Sequence, residues 1–164
     1  SLVLASGLVL SACSKKAPEM LPPDPGGSAA GQTTDGTGST TPVPGSQADF
    51  AAQMMGQDTI LFDTDRYNID ATDQTALATQ AQWLARYPAK RISVEGHADE
   101  RGTREYNLAL GERRANAAKN YLVSLGVDPG RITTVSHGKE KPLALGSDEA
   151  SWAQNRRAVT VTVD

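Results

Sequence analysis

The sequence predicts an α/β fold, a two-layer sandwich in which a four-stranded sheet carries its helices packed on one face. Three observations lead there. Two short runs have the two-residue period of half-buried strands, as where Ile92 and Val94 alternate with Arg91, Ser93 and Glu95, and two further strands are expected. Stretches of helical period, with start and stop signals, lie between them. The strand runs alternate apolar with polar residues, whereas the central strands of a doubly wound sheet would be apolar on both sides.

Taken in chain order, the first strand is expected at Thr59 to Phe62. A helix follows from about Ala71, after the cap candidate Asp70, through Leu77, Ala81 and Leu84, and ends before Pro88. Trp83 and Tyr87 lie close to its apolar face and are read as core. The second strand runs through Ile92 and Val94 to His97. A longer helix starts near the cap candidate Thr103 and stops at Gly126, a good C-terminal glycine. The third strand is expected at Ile132 to Ser136 and a short helix at Asp148 to Gln154. In the last strand Val159, Val161 and Val163 alternate with Thr160 and Thr162. No repeat of 20 to 50 residues is visible.

Ahead of this unit the composition changes twice. From Leu2 to Ala12 every residue is apolar or small, and Ser14-Lys15-Lys16 follows. That run is too short to cross a bilayer, which needs about 20 residues as a helix. It reads as residues 1–12 of an export signal whose charged start is missing, so the precursor is expected to begin upstream. Leu10-Ser11-Ala12-Cys13 resembles a bacterial lipobox, which implies acylation of Cys13 and, with Ser14 next, an outer-membrane anchor. More than one acyl chain turns marginal membrane binding into stable anchoring. Residues 14–47 hold six of the nine prolines and six of the fifteen glycines. They read as a flexible linker, spanning roughly 30 to 35 Å as a coil. The folded unit is expected over 48–164.

Composition removes several function classes. The formal charge is −3, without the basic excess that a run of phosphates demands, so no nucleic acid is expected as a partner. Cys13 is the one cysteine, which excludes an internal disulfide and a zinc site built on two cysteines. No cofactor is expected.

The long helix is the most informative element. With Leu108 at 0° and 100° per residue, Ala115, Ala118, Leu122 and Leu125 share one arc, which Leu110, Ala117 and Tyr121 extend. Asn107 and Arg114 interrupt this arc at about 260° and about 240°, two turns apart on one stripe. A buried arginine needs acceptors. The loop Ala98-Asp99-Glu100-Arg101-Gly102, just past the carboxyl end of a strand, offers Asp99. A second acidic loop, Asp63-Thr64-Asp65, is expected on the same edge. A carboxylate that accepts an ammonium and a guanidinium fork that grips a carboxylate together suit a zwitterionic amino acid. The alternative is an internal Asp99 to Arg114 salt bridge with no ligand.

Gly96-His97-Ala98-Asp99-Glu100-Arg101-Gly102, Glu105-Tyr106-Asn107 and Leu110-Gly111-Glu112-Arg113-Arg114-Ala115 resemble the signature of OmpA-like peptidoglycan-binding domains. Gly138-Lys139-Glu140-Lys141-Pro142 and Asn155-Arg156-Arg157-Ala158 extend the likeness over about residues 48 to 164. The resemblance implies a βαβαβ(α)β order with a mixed sheet. It also implies noncovalent recognition of meso-diaminopimelate in peptidoglycan stem peptides. Asp99 would take the ligand ammonium, Arg114 its carboxylate, and Asp65 would line the pocket, with Asn107 and Leu110 supporting. The implied protein partners are TolB, which in relatives competes with peptidoglycan for an overlapping surface, and through it the Tol complex. Thr64 stands where relatives often carry a larger apolar residue, and His137 where they often carry tyrosine.

The same residues admit two other readings. His97 with Asp99 and Glu100, or with His137, suggests acid/base or metal chemistry. There is, however, no His-Glu-x-x-His, no nucleophile elbow and no convincing third ligand, so neither catalysis nor a metal is expected. A lipid-anchored protein-interaction module with no wall ligand is the remaining alternative.

Overall fold

A computed structural model of the chain describes residues 41–163. The expected export segment, Cys13 and the linker as far as residue 40 lie outside the described residues. The elements are α1 (Gln47–Met54), β1 (Thr59–Leu61), α2 (Ala71–Arg86), β2 (Arg91–His97), α3 (Arg104–Ser124), a 3-10 turn (Pro129–Arg131), β3 (Ile132–Gly138), α4 (Glu149–Asn155) and β4 (Arg157–Val163). The sheet order is β1-β4-β2-β3, with β2 and β3 parallel and the other pairs antiparallel. It is the mixed four-stranded sheet expected.

Local chemistry sets the helix ends. Asp70 accepts from the Asp73 amide at 2.8 Å, and the Asp73 carboxylate accepts from the Asp70 amide at 3.2 Å, a reciprocal capping box. Thr103 caps α3 by accepting from the Tyr106 amide at 3.2 Å, and Asp148 caps α4 through the Ser151 amide at 2.9 Å. Past α3 the chain turns at Gly126 with φ +95°, a conformation that a Cβ disfavours.

Helix α1 was not expected. It is only eight residues long and starts inside the stretch assigned to the linker. Its signals are local: Ser46 accepts from the Asp49 amide at 3.1 Å, and Phe50 and Met54, four apart, share one buried face. Phe50 meets the Trp83 ring edge-on at 4.9 Å, and the Asp49 carboxylate accepts from the Trp83 indole N–H at 3.1 Å and the Gly45 amide at 2.9 Å. Trp83 is fully buried and stacks with Tyr87 at 4.5 Å, so the aromatics of α2 are core.

Strand β4 is half-buried in the opposite sense to the one its alternation suggests. Ala158, Thr160 and Thr162 lie opposite Gly96, Val94 and Ile92, so they face the helices. Val159, Val161 and Val163 lie on the other, open face, where Val163 is 43% exposed. Period-two alternation tells which residues share a face but not which face is covered. Thr160 tolerates burial because its hydroxyl donates to the Gln80 side-chain carbonyl at 2.8 Å, and the Gln80 amide donates to the Gln57 carbonyl at 2.6 Å. In α3 the buried residues include Leu110, Ala115, Ala118 and Leu122, whereas Leu125 is 42% exposed.

Helix α3 approaches the sheet backbone to backbone at one place. A Cβ on Gly96 would fall inside the Gly111 carbonyl, and one on Gly111 would collide with the Ser136 hydroxyl and the Gly96 carbonyl. The close approach lets Ser136 donate to the Leu108 carbonyl at 2.7 Å. Gly96→Ala is expected to destabilise the fold by about 1–3 kcal/mol or more, because neither backbone can yield. A lowered urea midpoint at unchanged slope is the check.

Candidate functional site

The site forms where β2 hands over to α3. The Ala98 amide donates to the Gly138 carbonyl at 2.8 Å, so the chain leaves the sheet in a fixed direction. The Asn107 amide nitrogen donates to the Arg101 carbonyl at 2.8 Å and closes the loop onto the first turn of α3, with Gly102 at φ +86°. From the other side comes the β1–α2 loop. There Asp65 adopts φ +55°, which a short polar side chain tolerates, and its carboxylate accepts from the Tyr106 hydroxyl at 2.9 Å.

Between the loops lies a cavity of about 270 Å³ lined by Asp65, Asp99, Asn107, Leu110 and Arg114, with Thr64, Arg101, Gly102 and Tyr106. All five side chains singled out as ligand-binding are thus brought together.

Arg114 is fully buried, as its place in the apolar arc implies, but its acceptors are not carboxylates. Nε donates to the Arg66 carbonyl at 2.9 Å, Nη1 to the His97 carbonyl at 2.7 Å and Nη2 to the Asp63 carbonyl at 3.1 Å. The guanidinium thereby ties the β1–α2 loop to the end of β2. Burial, helped by the charge of Arg156, pulls its pKa down to about 10, while Asp99 and Asp65 act in the other direction, so it is charged at neutral pH. Three of its five donors are engaged, leaving one N–H on each terminal nitrogen, the number a carboxylate takes in bidentate contact.

The internal Asp99 to Arg114 salt bridge is therefore not what the structure holds. Asp99 is paired with Arg101: Oδ1 accepts from Nε at 3.0 Å and from the Arg101 amide at 3.1 Å, and Oδ2 from Nη2 at 2.7 Å. Arg156 Nη1 lies 3.6 Å from Oδ2. Burial alone would raise the Asp99 carboxyl, but the Arg101 hydrogen bonds and the charges of Arg101 and Arg156 outweigh it and hold the group below the ordinary carboxylate value. A carboxyl depressed in the folded state contributes stability above its unfolded pKa and loses it as pH falls through the folded one. The stability difference between the parent and Asp99→Asn is accordingly expected to shrink between pH 7 and pH 3 in urea titrations.

Arg101, Tyr106 and Thr64 line the cavity without having been singled out by pattern. Arg101 stacks over the Trp152 ring at 4.2 Å, and Trp152 donates its indole N–H to Glu100 at 3.0 Å. Glycine at 102 and the Thr103 cap mark a tight loop. They do not reveal that Arg101 folds back onto Asp99.

With this geometry in view, comparison with known proteins is informative. The OmpA family model matches residues 61–156, which carry every residue of the cavity. The chain belongs to the OmpA family. Among curated OmpA-family relatives, the peptidoglycan-associated lipoprotein of Rhizobium meliloti is 52% identical over 160 residues, 98% of this chain and 85% of the relative. That of Agrobacterium fabrum is 59% identical over 126 residues, 77% of this chain and 69% of the relative. The crystal structure of the peptidoglycan-associated lipoprotein from Burkholderia pseudomallei superposes with a TM-score of 0.63 at 50% identity, covering 64% of this chain and 89% of that one. The C-terminal domain of Helicobacter pylori MotB, at 19% identity and a TM-score of 0.60, shares the OmpA-family fold.

Proposed function

We propose that this chain is a lipid-anchored outer-membrane protein whose folded unit, facing the periplasm, binds peptidoglycan noncovalently through the meso-diaminopimelate of the stem peptides. It holds the outer membrane to the wall as part of the Tol-Pal system, with TolB and the Tol complex as protein partners, and so supports envelope integrity and constriction during division. Acylated Cys13 is the anchor and the linker between it and the folded unit gives the reach. The names of the relatives, peptidoglycan-associated lipoproteins, support this reading.

One observation carries it: a single cavity of about 270 Å³ presents the Asp99 and Asp65 carboxylates beside the Arg114 guanidinium. Diaminopimelate differs from lysine in ending in a second amino-acid head group, an ammonium and a carboxylate on one carbon. Asp99 receives the ammonium, taking it in place of Arg101, and the two unengaged Arg114 N–H groups receive the carboxylate. Leu110 meets the aliphatic chain, and Asn107 holds the loop that carries Asp99.

The test is a calorimetric titration of the full chain, with Cys13→Ser to keep it lipid-free, against a stem peptide containing diaminopimelate and the same peptide containing lysine. Binding of the first alone is expected. Binding of neither means a lipid-anchored protein-interaction module with no wall ligand.

A further inference from the structure

The open face of the sheet carries a second cluster, which the cavity does not use. Strand β2 shifts register against β3 between Gly96 and His97, so that His97 pairs with Gly138 and His137 becomes the extra residue. Alternation along the two strands, from Glu95 to His97 and from its partner Val135 to His137, puts both imidazoles on the open face beside Glu95. The rings of His97 and His137 stand 5.1 Å apart, and His137 Nε2 lies 3.0 Å from Glu95 Oε2. One ligand atom from each of the three residues lies within 4.8 Å of the others.

His97 is only 3% exposed, and its Nδ1 has no hydrogen-bond partner. A buried polar atom without a partner requires an explanation. The His97 ring also makes a hydrogen bond to the Lys141 backbone. An imidazole anchored by a backbone carbonyl on one nitrogen and presenting a lone pair on the other is in the state of a metal ligand.

We propose that His97, His137 and Glu95 bind a divalent transition-metal ion of the zinc type on this face. Two imidazoles and a carboxylate suit such an ion, with water in the remaining position. The ion takes the place between His137 and Glu95 now bridged by their hydrogen bond and gives His97 Nδ1 its missing partner. Two cations face the cluster: Lys141 Nζ, 3.4 Å from His137 Nε2, and Arg157, which donates to the Asn155 and Lys141 carbonyls. Both oppose a dication. Lys141 is exposed and free to turn outward, which relieves part of that opposition.

The sequence supplied two histidines forty residues apart and no third ligand. Pairing of β2 with β3 supplies it. The cluster is joined to the cavity through one backbone group, because the His97 carbonyl accepts from Arg114, which lines the cavity.

The test is zinc titration of the full Cys13→Ser chain, so that no thiol competes, by calorimetry with a competing chelator and by thermal unfolding. The parent is expected to bind one zinc ion per chain and to gain thermal stability from it. Glu95→Gln and His137→Tyr, both at partly exposed positions, should each weaken binding by about 10-fold or more and remove the thermal shift. Absence of saturable one-to-one binding by the parent, or unchanged affinity in either folded variant, overturns the proposal. Binding of the diaminopimelate peptide by zinc-free protein is a separate readout, so failure here leaves the wall-binding reading untouched.

Discussion

Asp99→Ala is expected to lower affinity for the diaminopimelate stem peptide by about 30- to 1000-fold, equivalent to about 2–4 kcal/mol, while the fold survives. The size follows from what the side chain faces. Its oxygens accept three hydrogen bonds from Arg101, and Arg156 stands 3.6 Å away, so the loop concentrates positive charge around one carboxylate. In the variant a ligand ammonium would enter a site lined by Arg101 and Arg114, with Arg156 behind the vacated position, and no carboxylate there to meet it. Removing one partner of a desolvated charge pair costs more than the pair contributes, because the other charge is left without compensation. The fold survives because Arg101 is half-exposed and turns into solvent, still able to lie over Trp152. Calorimetry with the two stem peptides is the check: the variant should lose the preference for diaminopimelate over lysine, and wild-type affinity in a folded Asp99→Ala would refute the site.

Arg114→Met is expected to cost about 3–5 kcal/mol of stability and, in addition, the contact to the ligand carboxylate. The guanidinium is fully buried and satisfies the carbonyls of Asp63, Arg66 and His97. Each buried acceptor left alone costs about 1–3 kcal/mol. Against a typical total stability of about 5–15 kcal/mol, loss of three is severe. Arg114→Lys keeps the charge but offers one compact ammonium in place of a planar fork, so it cannot reach all three carbonyls and a ligand carboxylate together. It should be less destabilised than Arg114→Met and still bind the peptide weakly. A urea midpoint for each variant, with peptide titration under conditions where Arg114→Lys is folded, separates the two roles.

Much of the architecture was legible in residue patterns because its causes are local. Asp70, Thr103 and Asp148 announce the starts of α2, α3 and α4 through side-chain oxygens that reach amides three residues on. Helix α1 escaped because eight residues give barely two turns of periodicity, and its neighbours are rich in proline and glycine. In the site, Asn107 and Arg114 stood out because polar residues inside an apolar arc demand buried partners, and Asp99 because it ends a strand beside a helix start.

The sequence by itself determined the order of the four strands and of the three helices between them, the caps of α2 and α3, the placement of Arg114 among apolar neighbours and the nearness of Asp99, Asn107 and Leu110 to one strand end. These follow from spacing along a single element or from a contiguous motif. Only the tertiary structure decided which acceptors Arg114 meets, that Arg101 rather than Arg114 pairs with Asp99, that the threonines of β4 and not its valines lie under the helices, and that Glu95 joins His97 and His137. All but the Arg101 pairing, which is a turn of one loop, depend on the register between segments distant in sequence. A one-residue change of register turns every side chain of a strand to the other face, and no pattern within one strand records which register its partner adopts.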